Sequence, residues 1–140
     1  MNKIIKDFNH FYSELKTQNL SQLYEIYNDN IIFEDPLHKI HGLDNITLYF
    51  EQMITNVTSC HFYIKDVVEA DNQAFITWEM HFSHPKLNKG NVITLPGTSH
   101  LKYTDKIDYH RDYFDVGSMI YEHIPVLNYV IGKIKNRMTS

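Results

Sequence analysis

The stretch YHRDYFDVGSMIYEHIP, residues 109–125, sets histidine, arginine and two aspartates among aromatic residues. Strand-like alternation there places Asp108, His110 and Asp112 on one face and Tyr109, Arg111 and Tyr113 on the other. A second alternating stretch, 73–83, places Glu79 and His81 on a face with Phe75, Thr77 and Ser83, opposite Ala74, Ile76, Trp78, Met80 and Phe82. A histidine beside carboxylates can act as a general base near neutral pH, because the carboxylate orients the imidazole and supports its charged form. Glu79, His81, His110 and Asp112 would also make a ligand set for zinc or iron. The chain lacks tight HxxxH or HExxH spacing, however, and no metal is expected. The plainer reading of strand 73–83 makes its apolar face core and its polar face solvated. Arg111 reads as an ion-pair partner for a neighbouring carboxylate.

These residues need elements to hold them. Ile4, Phe8, Phe11, Tyr12 and Leu15 form a helical stripe over 4–17. A short second helix follows, with Ser21 as N-cap and Tyr27 on its apolar side. NIIFEDP reads as a strand ended by Pro36, His38–Gly42 as a loop, and LDNITLYFEQMITN as a third helix with Tyr49, Phe50 and Met53 facing in. From residue 57 the period changes to two, with strands at about 59–69, 73–83, 91–103 and 106–115. Helical residues return at 118–137, where Pro125 begins a second piece. Within it, Leu127, Val130, Ile131 and Ile134 make an apolar stripe. That stripe reads as packing on the sheet or on a partner subunit, in preference to a membrane surface. The order is α+β, with helices on one face of a mostly antiparallel sheet.

The totals agree with one domain over 1–140, 43% of it hydrophobic. A net charge of −4 argues against nucleic acid as a partner. The single cysteine, Cys60, allows no internal disulfide, and with no apolar leader or spanning run a cytoplasmic location is expected.

The element order, with FEDP, HGLDNITLYFEQM and HRDYFD, resembles the SnoaL-like group of the nuclear transport factor 2-like superfamily over nearly the whole chain. The resemblance implies a strongly curved sheet wrapping the N-terminal helices into a cone, with a C-terminal helical extension and a ligand pocket at the open end. Members include ketosteroid isomerases, limonene-type epoxide hydrolases, polyketide cyclases and non-catalytic binding domains, so the fold does not fix the function. FEDP resembles the isomerase motif around its general base, which makes Asp35 the candidate base; a carboxylate before proline also simply forms turns. The isomerase oxyanion hole is not matched, since Phe11 stands where its tyrosine belongs, beside Tyr12, and Ser99 where its acid belongs. HRDYFD resembles the epoxide hydrolase motif, which makes Asp112 a retained carboxylate, whereas Glu79 and His81 replace the arginine and second aspartate.

The implied protein takes a small apolar molecule and acts as a homodimer without a cofactor. It either binds that molecule or performs acid–base chemistry of isomerase, cyclase or hydrolase type. Asp35, His81 and Asp112 would handle protons, with Glu79 and His110 orienting them, and Phe11, Tyr12, Phe50, Ser99, Leu101 and Phe114 would line the pocket. The other reading is a non-catalytic dimeric module with a vestigial cavity.

Overall fold

A computed structural model describes residues 1–139. Helix α1 (Lys3–Ser13) starts where the Asn2 side chain accepts the Ile4 N–H at 2.9 Å, and it buries Ile4, Ile5, Phe8, Phe11 and Tyr12. It stops short of the expected residue 17. A 3₁₀ turn, Thr17–Gln22, then runs directly into α2 (Leu23–Ile26), so Ser21 lies inside the turn and caps nothing. Strand β1 (Tyr27–Glu34) follows, and the expected loop at 38–42 instead holds a short edge strand, β2 (Lys39–His41), paired with Ile32–Glu34. Gly42, at φ +94°, turns the chain into α3 (Leu43–Asn56), a backbone angle that costs glycine nothing.

Strands β3 (Ser59–Ala70), β4 (Gln73–Ser83), β5 (Ile93–Tyr103) and β6 (Ile107–Phe114) form consecutive antiparallel hairpins. β6 then pairs in parallel with β1, giving the order β2-β1-β6-β5-β4-β3 in one mixed, open sheet. Extra residues on β1, β3 and β6 bend the sheet. Ile64 pairs with Trp78 and Val67 with Ile76, so Lys65 and Asp66 together oppose Thr77. Lys102 pairs with Tyr109 and Tyr103 with Ile107, so Asp108 is bulged out. That bulge resets the alternation of β6: Ile107 and His110 are both buried, while Asp108 is exposed and accepts a hydrogen bond from Asn28 Nδ2. The concave face wraps α1 and α3 around a core that includes Phe8, Phe11, Tyr27, Ile31, Ile76 and Leu101.

Beyond β6 lie α4 (Val116–Met119), a 3₁₀ turn (Tyr121–His123) and α5, which begins at Pro125 and runs to Thr139. Helix α5 does not bury its stripe on the sheet. Leu127, Val130 and Ile134 stay exposed, and a Lys135–Glu122 ion pair ties the helix to the 3₁₀ turn.

Gly97 on β5 faces the Trp78 indole, and a Cβ there would lie 2.2 Å from the ring. Gly97→Ala is therefore expected to lower stability by about 1–3 kcal/mol through overpacking. Because Trp78 is the only tryptophan, the same variant should shift the intrinsic fluorescence of the folded protein. Denaturant melts followed by that fluorescence check both effects.

Candidate functional site

Alternation along β4 turns Trp78, Met80 and Phe82 inward, and α1, α3 and β6 bring Tyr12, Tyr49, Phe50 and Phe114 to meet them. Between these walls lies a cavity of about 260 Å³. Asp35 and Asp112 both open onto it, and Leu37, His38, Leu87, Met119 and Ile120 surround its mouth.

Asp112 is where a buried hydrogen-bonded chain ends. Its Oδ1 accepts the Ser99 hydroxyl at 2.5 Å and lies 2.6 Å from His110 Nε2, and Ser99 in turn accepts Trp78 Nε1–H at 2.9 Å. On its other side, His110 Nδ1 lies 2.7 Å from the Tyr27 hydroxyl, itself 2.8 Å from the Tyr12 hydroxyl. One assignment gives every hydrogen in the chain an acceptor: Tyr12 donates to Tyr27, Tyr27 to Nδ1, and Nε2–H to Asp112. The imidazole is enclosed by the rings of Phe8, Tyr12, Tyr27 and Phe33 and is fully buried. Asp112 Oδ2 takes no part in the chain.

Asp35 is held by a separate set of hydrogen bonds. Its Oδ1 accepts the backbone N–H groups of Leu37 and His38 at 2.8 and 2.7 Å, the turn-forming role open to a carboxylate before proline. Its Oδ2 accepts the Tyr49 hydroxyl at 3.2 Å, and His38 Nδ1 lies 3.3 Å from Oδ1. Burial, then the charges of Asp35 and Asp112, push the Tyr49 phenol well above its ordinary value. Burial does the same for Tyr12 and Tyr27, and raises the Cys60 thiol on the cavity wall to about 12, so this sulfur is a packed thiol and a poor nucleophile at neutral pH.

Five of the expected side chains, Glu79, His81, Phe11, Leu101 and Ser99, do not line the cavity. Glu79 and His81 do not face the cavity. They lie on the outer face of β4, separated from β6 by β5, and Glu79 Oε1 pairs with His81 Nε2 at 2.6 Å with both side chains about a third exposed. That hydrogen bond holds the Glu79 carboxyl below its usual range. The large apolar residues of β4 claim the concave face, so its polar partners must point outward. Phe11 and Leu101 are fully buried in the core and do not line the cavity. Tyr12, one helix position from Phe11, does. Ser99 stands behind Asp112, beside a void of about 10 Å³, and serves as donor to the carboxylate. Phe50 and Phe114 line the cavity. The site role of Tyr27 went unread, since its only sequence signal was an apolar position on the second helix. Arg111 pairs with Glu34 at 2.8 Å. Among the described residues no group of three or more histidine, cysteine or acidic side chains converges as a metal site.

A model of the SnoaL-like domain matches residues 8–110. The chain belongs to the SnoaL-like domain family. Solved structures share this SnoaL-like fold. A nuclear transport factor 2-like protein from Burkholderia pseudomallei superposes with a TM-score of 0.76 at 13% identity, covering 89% of this chain and 99% of that one. A protein from Catenulispora acidiphila with a ketosteroid isomerase-like fold, crystallised with trimethylamine, gives 0.74 at 13% identity, with 88% and 92% covered. A Shewanella putrefaciens protein proposed to be a SnoaL-like polyketide cyclase gives 0.70 at 21% identity, with 85% and 94% covered. No curated protein matches the sequence.

Two tests follow from the buried chain. Tyr27→Phe strips His110 Nδ1 of its donor and Tyr12 of its acceptor, and should cost about 1–3 kcal/mol for each group left unpaired. Tyr12→Phe removes only the terminal donor and should cost less; equal losses in paired denaturant melts would contradict the order of the chain. In alkali, the raised phenols keep their protons in the folded state after the unfolded chain has lost them. Stability should therefore fall as pH climbs past about 10. Absorbance of tyrosinate should show Tyr12, Tyr27 and Tyr49 ionising only together with the loss of folded circular dichroism.

Proposed function

We propose that the protein admits a small, largely apolar molecule to the cone and moves a proton on it, with Asp112 as the base and Asp35 as the second proton-handling group. The observation that carries this reading is the division of labour within one carboxylate. Oδ1 of Asp112 is fixed by Ser99 and His110, while among the described residues Oδ2 has no donor in a cavity walled largely by apolar side chains. An oriented carboxylate at an apolar wall is suited to taking a proton from carbon or hydroxyl and returning it elsewhere on the same molecule, the chemistry of an isomerase or cyclase. When Oδ2 gains the proton, Oδ1 keeps its two donors, so the side chain need not move. His110, Tyr27 and Tyr12 hold the carboxylate in place from inside the core. No cofactor is needed for such a transfer. The Catenulispora protein of similar fold was crystallised in complex with trimethylamine, a small organic molecule.

The other reading, a non-catalytic dimeric module, draws on the outer sheet face. There Tyr63, Phe75 and Tyr113 are exposed, and the Phe75 ring stacks on His100 at 4.2 Å. That surface suits a second copy of the chain, and a dimer is compatible with either reading. The cavity, however, is not filled by its own aromatic side chains.

Proton transfer can be detected before the net reaction is known. A panel of small cyclic ketones and enones is incubated with the protein in D₂O and followed by NMR for deuterium entering at carbon. Exchange is expected for at least one compound that fits the cavity, with Asp112→Asn lowering the rate by about 10²–10⁴. Binding without exchange, in every case, would favour the binding module.

A further inference from the structure

The cavity has a charge pattern as well as a shape. Two carboxylates, Asp35 and Asp112, open onto it, and no lysine or arginine lies among its lining residues. Every hydrogen bond to their oxygens from Leu37, His38, Tyr49 and Ser99 is donated to the carboxylate, the arrangement of an anion. The only basic group on the wall is the His38 imidazole, half exposed at the mouth and 3.3 Å from Asp35.

Half of the remaining wall is aromatic, including Phe33, Tyr49, Phe50, Phe62, Trp78 and Phe82, and the thioethers of Met53, Met80 and Met119 belong to the other half. Aromatic rings attract cations through their quadrupoles, most strongly where water is excluded. A wholly neutral, apolar ligand would strip water from Asp112 Oδ2 and leave an anion without a partner, which is costly. A ligand that carries a positive charge within an apolar envelope satisfies the carboxylates and the rings together.

We infer that the natural ligand is a small organic cation, an alkyl- or arylammonium compound whose charged nitrogen sits between the Asp35 and Asp112 side of the cavity and its aromatic wall. This inference rests on the cone being the ligand site and adds the chemical class of the ligand. It also fits two carboxylates in one cavity: one neutralises the ammonium group while the other is left for the proton.

The test compares benzyltrimethylammonium with neopentylbenzene, its uncharged carbon isostere, which has the same shape and no hydrogen-bond donor. Binding to the wild-type protein is read from Trp78, the only tryptophan and a cavity residue, and by calorimetry. The expected result is at least tenfold tighter binding of the cation, with the preference reduced in Asp35→Asn and in Asp112→Asn, each first shown to be folded by circular dichroism. Equal binding of both probes would overturn the cation inference while leaving the cone as an apolar ligand site. Binding of neither, with Trp78 fluorescence unmoved, would overturn both. The wild-type comparison decides the matter even if one variant fails to fold.

Discussion

A fully buried imidazole is the constraint on which this molecule is arranged. His110 has no water to turn to, so both ring nitrogens must find partners inside the protein. Tyr27 and Asp112 supply them, and these two in turn enlist Tyr12, Ser99 and Trp78. The six residues come from α1, β1, β4, β5 and β6. A slip of one residue in any of these strands would turn a member of the chain to the opposite face. The network therefore fixes register across most of the sheet. It also decides where a charged oxygen can be displayed in a cavity whose other walls are apolar.

The same economy explains Gly97. The indole of Trp78 must lie across β5 to reach Ser99, and only a residue without a side chain leaves it room. The bulge at Asp108 is a second such device. Without the extra residue the alternation set by Ile107 would turn His110 outward, and the carboxylate of Asp112 with it. One of the irregularities that curve the sheet thus also orients His110 and Asp112.

Much of the architecture was legible in the sequence because its signals are local. The period-two runs after residue 57, their turn residues, and Pro125 at a helix start mark elements that the structure contains. The alternation of β4 also read correctly as a pattern. What misled was the choice of face: matching Glu79 and His81 to a family motif set them in the cavity, when Ala74, Ile76, Trp78 and Phe82 had the stronger claim to the interior. On β6 the polar residues His110 and Asp112 turn inward, but Asp108 leaves that face at a bulge that no residue type announces. On α1 the difference between Phe11 and Tyr12 is about 100° of helix rotation, and both are buried. Which of two adjacent aromatic residues meets a cavity depends on the elements packed around them, and a single sequence carries no trace of that. Tyr27 was hidden for the same reason: its partner lies 83 residues away.

The direction of the buried chain is the most exposed part of the account, and imidazole NMR reads it directly. Long-range proton–nitrogen correlation on the ¹⁵N-labelled protein reports which nitrogen of His110 carries hydrogen. Hydrogen is expected on Nε2, slow to exchange with solvent, with Nδ1 bare and accepting from Tyr27. Hydrogen on Nδ1 with Nε2 bare would mean that His110 does not donate to Asp112, and the base would have to be sought elsewhere in the cone.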